Sequence, residues 1–174
     1  MKKPALFLDR DGVINVEHGY VHRKEDFDFI DGIFELVAQA NKKGYWVVVV
    51  TNQAGIGRGY YTEADFHALM DWVCEQFTLR AGRIDAVYFC PDHPEHGIGQ
   101  YRKENECRKP GSGMFFQAAA DLDIDLPGSI MVGDKISDMV AARGAGIKNL
   151  FCLGAEGGGD SRRVESLLEV LGSL

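Results

Sequence analysis

The sequence predicts an α/β fold in which helices cover both faces of a parallel sheet, giving three layers. Five short apolar runs are continuous rather than alternating, as expected of strands that are buried on both faces: residues 5–8, 46–50, 86–89, 130–132 and 150–153. Segments with the helical spacing of apolar residues separate these runs, and such alternation is typical of parallel sheets.

Apolar residues spaced three or four apart predict the helices. The predicted helical segments cover residues 33–40, 66–77 and 114–122, a short stretch after Asp134, and residues 164–171. The second should begin at Thr62, because Thr62 followed by Asp65 resembles a capping box. These apolar stripes are expected to face the core.

Composition and charge indicate a single globular domain over residues 1–174. A hydrophobic content of 45% is enough for a core, and the formal charge of −7 disfavours non-specific binding to nucleic acid or to an anionic membrane. The sequence shows neither a signal-peptide core nor the roughly 18 apolar residues of a membrane helix. The four cysteines lack disulfide-rich spacing. We therefore expect a monomeric, cytoplasmic protein with reduced thiols.

Polar side chains follow the predicted strands, where ligands of parallel sheets bind. Asp9 and Asp11 follow the first strand, and one carboxylate could attack an electrophile while the other transfers a proton. Thr51 and Asn52 end the second strand and could hold phosphoryl oxygens. Asp134 follows the fourth strand and suits Mg²⁺, which prefers one or two carboxylates with water and phosphate.

A basic pair, Arg108 and Lys109, ends the long loop after the third strand and could bind phosphate. Each of these motifs also has an ordinary structural interpretation: a polar turn at a strand end, a solvated ion pair, or a helix cap at Asp134. Together they place at the ends of four strands, or on the loops that follow, the groups that phosphoryl transfer requires. The combination therefore predicts a phosphatase.

The sequence resembles the haloacid dehalogenase (HAD) superfamily of phosphatases over roughly residues 5–153. Residues 7–12 match its first motif, Thr51 its second, Lys109 its third, and Gly133-Asp134 with Asp138 its fourth. The resemblance implies a Rossmann-like, five-stranded parallel sheet of order 5-4-1-2-3. Residues 12–31 and 91–112 are too short for a cap domain, so an open site is expected.

The same resemblance implies roles for these residues. Asp9 would attack phosphorus and form an aspartyl phosphate, while Asp11 would protonate the leaving oxygen and later activate water. Thr51 and Lys109 would hold the transferring phosphoryl group. Asp9, the backbone carbonyl of Asp11, and Asp134 would bind Mg²⁺.

Residues 51–59, 90–94 and 107–110 resemble a narrower branch that holds heptose-bisphosphate and histidinol-phosphate phosphatases. The expected substrate is a small sugar bisphosphate, D-glycero-D-manno-heptose 1,7-bisphosphate, a lipopolysaccharide precursor that would lose its 7-phosphate. Arg58, Arg102, Lys103 and Arg108 favour a bisphosphate over cationic histidinol phosphate, and Arg108 would contact the substrate. Histidinol phosphate and a non-catalytic module that binds a phospho-ligand remain alternatives. A nucleic-acid 3′-phosphatase is disfavoured by the acidic charge.

That branch usually carries a structural zinc, with ligands arranged as Cys-Pro-His and Cys-x-Cys. Cys90 and Cys107 are present, but Asp92 stands at the histidine position and Asn105 at a cysteine position. Zinc prefers four sulfur or nitrogen ligands. The candidate ligands are Cys90, Cys107 and, as a replacement, His93 or His96, and we expect substoichiometric or no zinc.

Overall fold

The computed structural model describes residues 1–154 and 159–174. Within these residues six strands form one parallel sheet: β1 (Ala5–Leu8), β2 (Trp46–Asn52), β3 (Ala86–Cys90), β4 (Ile130–Gly133), β5 (Asn149–Leu153) and β6 (Arg162–Val164). Their order across the sheet is β3-β2-β1-β4-β5-β6. Every neighbouring pair is parallel, which confirms the predicted fold class.

The expected strand order is confirmed for the first five strands, but the expected number of strands is wrong. β6 pairs with β5, so that Leu153 lies opposite Val164. The sequence analysis placed Val164 at the start of a helix because residues 164–171 have helical spacing. The helix that forms is instead a 3-10 helix at Leu167–Ser173, beginning after the cap residue Ser166. Arg162 and Arg163 are exposed, as is common in short edge strands, and they hide the strand pattern.

Five α-helices connect the strands within the described residues: α1 (Ile33–Lys42), α2 (Ala54–Gly57), α3 (Glu63–Thr78), α4 (Gly113–Leu122) and α5 (Ile136–Gly144). The predicted start of α3 is confirmed. The Thr62 Oγ1 atom accepts a hydrogen bond from the Asp65 backbone at 3.1 Å, and the Asp65 carboxylate accepts one from the Thr62 backbone at 2.9 Å. This capping box satisfies two backbone donors at the helix start.

The sheet separates two hydrophobic cores, because successive side chains of a strand point to opposite faces. Leu6 and Leu8 of β1 lie in the core that α1 and α3 cover, whereas Phe7 lies in the core that α4 and α5 cover. In the second core Phe7 packs against Phe115, with ring centroids 4.9 Å apart. Burial of such side chains stabilises the fold by roughly 1.5–3 kcal/mol each. The packing on both faces also holds the carboxyl ends of the strands in position.

The segments that could have held a cap domain contain little regular structure. Residues 12–31, here called the flap, contain a 3-10 helix at Lys24–Asp26, and residues 91–112 contain one at Gly99–Tyr101. Both segments lie at the carboxyl edge of the sheet. Within the described residues, none of the helices combines the length and apolar character needed to cross a lipid bilayer.

Candidate active site

Asp9 lies immediately after β1, the strand between β2 and β4, and is 7% exposed. Its backbone N–H donates to Val132 O of β4 at 3.1 Å, so the residue is fixed at the sheet edge. The Asp9 Oδ1 atom accepts hydrogen bonds from the Lys109 Nζ and from the Arg10 backbone N–H, both at 2.9 Å. Asp9 is therefore a buried carboxylate with one oxygen held by a cation.

Lys109 is 3% exposed and donates from Nζ to Asp9 Oδ1, to Val50 O at 2.9 Å and to Asp138 Oδ1 at 2.5 Å. Asn52 holds the Lys109 backbone at both ends: its Nδ2 donates to Lys109 O and its Oδ1 accepts from Lys109 N, each at 3.0 Å. The predicted site residues Asp9, Asn52 and Lys109 thus come together. Asn52 was predicted to hold phosphoryl oxygens, but both polar atoms of its amide bond to the backbone of Lys109.

Asp138 supports this arrangement and was predicted only as part of the fourth motif. Its Oδ2 atom accepts from the backbone N–H groups of Asp134 and Lys135, both at 3.1 Å, while its Oδ1 binds Lys109. Both oxygens of Asp138 are therefore occupied. An added Cβ on Gly133 would lie 2.5 Å from the Asp138 Cβ, so glycine is needed where β4 meets this side chain.

Three carboxylates, here called the Asp9 cluster, converge at the strand ends: Asp9, Asp134 and Asp138, with one oxygen of each within 4.8 Å of the others. Burial raises the pKa of Asp9 well above its ordinary value; Lys109 opposes this shift, and Asp138 and Asp134 add to it. Burial also raises the pKa of Asp134 to about 6. Burial lowers the pKa of Lys109, but Asp9 and Asp138 together outweigh it and leave it raised. One cation does not balance three carboxylates.

The Asp9 cluster fits a divalent cation. Asp134 Oδ1 is buried and finds no hydrogen-bond partner among the described residues, which is costly for a carboxylate oxygen unless a ligand or ion satisfies it. Gly12 makes room for this side chain, because an added Cβ at its φ of +91° would lie 2.1 Å from Asp134 Oδ2. Asp138 has no oxygen to spare, so Asp9 and Asp134 are the side chains that could hold Mg²⁺.

Asp11 is held from two sides by residues that the sequence analysis did not identify. Its Oδ1 accepts from Arg10 Nη2 at 2.8 Å and from Asn15 Nδ2 at 3.1 Å, and its Oδ2 accepts from Gln53 Nε2 at 3.1 Å. Gln53 in turn accepts from the Tyr61 hydroxyl. Asp11 is thus oriented by charged and neutral donors, while its side chain lies outside the Asp9 cluster.

Thr51 is fully buried at the end of β2. Its Oγ1 accepts from Gln53 Nε2 at 2.9 Å and donates to Asn52 O at 3.4 Å. Gln53 therefore links Thr51 to Asp11 through one amide group. In the sequence, the one sign that Gln53 links Thr51 to Asp11 is its position directly after Thr51-Asn52. Its other partner, Tyr61, follows α2, and no local pattern connects the two residues.

A small inner cavity of about 70 Å³ opens at Asp9 and is lined by Asp9, Asp11, Asn52 and Lys109. It adjoins a cleft of about 620 Å³ that shares Asp11, Asn52, Lys109 and Lys135 with it and adds the cations Arg58 and Arg108. Arg108 Nη1 makes a long hydrogen bond of 3.4 Å to Asp92 O. The chain is acidic overall, yet Arg58, Arg108 and Lys135 line this cleft in addition to Lys109.

The loop between Cys90 and Cys107 contains a second group of metal-binding side chains, here called the Cys90 cluster: Cys90, Asp92 and Cys107, with ligand atoms within 4.8 Å of one another. Asn105 Nδ2 donates to Asp92 Oδ2 at 2.7 Å. A hydrogen bond from the Cys107 thiol is the main cause that lowers the pKa of Cys90, and the same bond raises the pKa of Cys107.

The predicted zinc ligand His93 is not part of the Cys90 cluster. Its Nδ1 accepts from the backbone N–H groups of Glu95 and His96, at 3.1 and 3.0 Å, and its ring lies 4.6 Å from that of His96, tilted by 37°. The cluster therefore offers two sulfurs and a carboxylate whose oxygen Asn105 already engages. This donor set fits a closed zinc site only in part, because no nitrogen ligand and no third sulfur joins it within residues 1–154 and 159–174.

This fold, with its carboxylates and lysine at the strand ends, defines a HAD-like hydrolase, and a family model described as HAD-hydrolase-like matches residues 106–165. A D-glycero-β-D-manno-heptose-1,7-bisphosphate 7-phosphatase of Vibrio cholerae is 54% identical over 84% of this chain and 79% of that protein. Its α-anomer counterpart in Burkholderia mallei is 57% identical over 84% and 78%. The chain belongs to this heptose-bisphosphate phosphatase family.

A solved structure supports the same relationship. The D,D-heptose 1,7-bisphosphate phosphatase of B. bronchiseptica, complexed with magnesium and phosphate, superimposes with a TM-score of 0.83 at 29% identity. The alignment covers 97% of this chain and 96% of that one. The shared fold therefore extends over nearly the whole chain and includes both loops that border the site.

Proposed function

We propose that this chain is a Mg²⁺-dependent phosphatase that removes the 7-phosphate of D-glycero-D-manno-heptose 1,7-bisphosphate through an aspartyl phosphate on Asp9. One observation carries the proposal: a buried carboxylate at the end of β1, held by Lys109, borders a small cavity that opens into a cleft lined by cations. The identity and coverage of the named relatives support the choice of substrate.

In the first step the Asp9 carboxylate attacks the phosphorus atom and the bond from phosphorus to the sugar oxygen breaks. Lys109 and the Arg10 backbone hold Oδ1, so we assign the attack to Oδ2. Asp11 gives its proton to the leaving oxygen. Lys109 also neutralises charge on the transferring group, and such fixed positive groups lower the barrier because they need no rearrangement.

In the second step water attacks the aspartyl phosphate, and Asp11 takes the proton of that water. Inorganic phosphate leaves and the Asp9 carboxylate is restored. The Asp11 side chain lines both the inner cavity and the cleft, so it can face the leaving group and then the water. Thr51 is proposed to orient a phosphoryl oxygen through its hydroxyl group, which then exchanges its long bond to Asn52 O for one to the phosphate.

Asp9 and Asp134, with the backbone carbonyl of Asp11, would hold Mg²⁺. When bound, the ion supplies positive charge to the phosphoryl oxygens and to the excess of carboxylates in the Asp9 cluster. The buried, unpartnered Asp134 Oδ1 supports this assignment. Zinc in the Cys90 cluster is not required by this chemistry.

The shape and charge of the site favour the 7-phosphate of a bisphosphate. A phosphate on a primary carbon can extend into a cavity of about 70 Å³, whereas an anomeric phosphate is attached directly to the bulky ring. The anomeric phosphate would remain in the cleft beside Arg58, Arg108 and Lys135. Arg108 is the proposed substrate contact because its planar fork suits phosphate.

Two alternatives predict different ligands. Histidinol phosphate carries an amine, which three cations along the cleft disfavour. A binding module without turnover would not need an oriented Asp11, yet Asp11 accepts three side-chain hydrogen bonds. We therefore favour the bisphosphatase.

We also propose that it acts in the cytoplasm as a monomer, with residues 1–174 forming one catalytic unit without a cap domain.

The test is phosphate release from the α and β anomers of the heptose bisphosphate and from histidinol phosphate, with Mg²⁺ present. We expect a heptose bisphosphate to have the highest kcat/KM and the product to retain its anomeric phosphate by phosphorus NMR. The two named relatives differ in anomer, so both anomers must be assayed. Preferred hydrolysis of histidinol phosphate, or loss of the anomeric phosphate, would contradict the proposal.

A further inference from the structure

Arg10 is the largest fully buried side chain among the residues that the structure describes, and it is 1% exposed. Its Nη2 donates to Asp11 Oδ1 at 2.8 Å and to Val21 O of the flap at 2.6 Å. Its Nε and Nη1 atoms are buried and have no hydrogen-bond partner in the part of the chain that the structure describes. The guanidinium instead lies over the rings of Phe27 and Phe66, 5.7 and 6.0 Å from their centroids.

The surroundings of Arg10 are unfavourable for a charged side chain, so a contribution to stability alone does not explain its presence there. Burying a charge and leaving donors unpaired is costly, and apolar residues of similar volume often replace buried ion pairs without loss of stability. Within the described chain the ion-pair partner of Arg10 is Asp11. The use of this costly side chain is explained if its contact with Asp11 serves the reaction.

We propose that Arg10 is a positioning residue that fixes Asp11 against the flap for proton transfer to the leaving oxygen. Arg10 and Asn15 both donate to Oδ1, whereas Oδ2 accepts one bond, from Gln53, so Oδ2 is the oxygen that can carry the proton into the inner cavity. The bond to Val21 O ties this geometry to the flap, whose residues Glu17 and Tyr20 line the cleft. This inference rests on the proposed role of Asp11 as the acid.

The test compares two phosphate esters that differ in their need for an acid. p-Nitrophenolate leaves without a proton, whereas the alkoxide of a primary alkyl phosphate needs one. For Arg10→Met we expect kcat/KM to fall roughly 100-fold on the alkyl ester and less than about threefold on p-nitrophenyl phosphate. kcat/KM is chosen because it reports the steps up to release of the leaving group and excludes the later attack of water.

Phe27→Leu is the matched control, because it disturbs the packing beneath Arg10 without touching Asp11. It should leave the ratio of the two kcat/KM values at that of the wild type. If Arg10→Met does not fold, Arg10→Lys carries the test: its shorter ammonium does not reach the position of Nη2, and it should show the same selective loss in weaker form. Arg10→Met leaves Asp11 and Val21 O without this donor, so its thermal midpoint should fall, and the ratio of the two kcat/KM values is compared only among folded variants.

Asp11→Asn separates this inference from the proposed function. If the wild type hydrolyses both esters and Asp11→Asn loses the alkyl ester selectively, Asp11 is the acid. An equal loss on both esters in Arg10→Met would then overturn the role of Arg10 alone. A wild type that hydrolyses neither ester, or an Asp11→Asn protein without selective loss, would overturn the proposed mechanism and this inference with it.

Discussion

The Asp9 cluster and the Cys90 cluster each bring three potential metal ligands within 4.8 Å of one another, and both border the segment that carries Lys109. They differ in how their charges are compensated. In the Asp9 cluster Lys109 pairs with two of the three carboxylates, Asp9 and Asp138, and within the described chain an oxygen of Asp134 has no hydrogen-bond partner. In the Cys90 cluster Asn105 engages Asp92, and the Cys107 thiol engages Cys90.

This difference shows that ligand type and proximity do not by themselves define a metal site. Excess negative charge and an orphaned buried acceptor raise the free energy of the metal-free Asp9 cluster, and a divalent cation would relieve both. In the Cys90 cluster, hydrogen bonds already satisfy the polar groups. We therefore expect the Asp9 cluster to need a divalent cation for activity, and the Cys90 cluster to be stable without a metal.

The largest effect is expected for Asp9→Asn. The amide is a poor nucleophile and a poor Mg²⁺ ligand, so turnover should fall by more than about a thousandfold, which corresponds to roughly 4 kcal/mol in the barrier. The fold should survive, because the substitution removes one of three mutually repelling carboxylates. Initial rates and circular dichroism measure the two expectations. More than a thousandth of the wild-type rate, in a preparation free of deamidated protein, would contradict covalent catalysis by Asp9.

Lys109→Met should affect stability as well as activity. The substitution leaves the buried Asp9 and Asp138 without their cation, and breaking a buried pair in this way costs about 3–5 kcal/mol. Urea unfolding without metal measures this loss. Lys135→Met is the control, because Lys135 lines the same cavity but is exposed and should change the free energy of unfolding by less than about 0.5 kcal/mol. Equal stability of both variants would mean that Lys109 does not balance the cluster.

Gly12→Ala should weaken Mg²⁺ binding by displacing Asp134. Gly12 and Gly44 have similar φ angles of +91° and +85°, but an added Cβ at Gly12 would lie 2.1 Å from Asp134 Oδ2. At Gly44 it meets nothing within 4 Å. Both alanine variants should lose about 1 kcal/mol through backbone strain. Only Gly12→Ala should also lose the rise in thermal midpoint that Mg²⁺ gives the wild type. The same loss in Gly44→Ala would contradict the assignment of Asp134 as a Mg²⁺ ligand.

The sequence predicted those features that depend on local pattern. Continuous apolar runs identified β1 to β5, and the polar residues that follow them, such as Asp9, Thr51 and Asp134, are brought together by the strand order. β6 was missed because two exposed arginines precede Val164 and the strand has only 3 residues.

The supporting side chains could not be predicted because their partners are distant in the chain. Asn52 holds Lys109 across 57 residues, and nothing in either local sequence indicates this contact. Charged residues usually lie at the surface, but Arg10 is enclosed by Phe27 and Phe66 from separate segments. The types of the reacting groups were therefore readable from the sequence, whereas the contacts that orient them required the tertiary structure.

The smallest effect is expected in the Cys90 cluster. If Asn105, Asp92 and the two thiols already satisfy one another, purified protein should contain substoichiometric or no zinc by elemental analysis. Cys107→Ser keeps a hydrogen-bond donor beside Cys90, so the free energy of unfolding should change by about 1 kcal/mol or less. A structural zinc would instead contribute many kcal/mol, and its loss would loosen the loop that positions Arg108 and Lys109. One tightly held zinc per chain, together with a Cys107→Ser protein that is both unstable and inactive, would show that a metal does complete this cluster. A ligand from the same loop, such as His93 or His96, would then have to rotate into the position that Asn105 now closes.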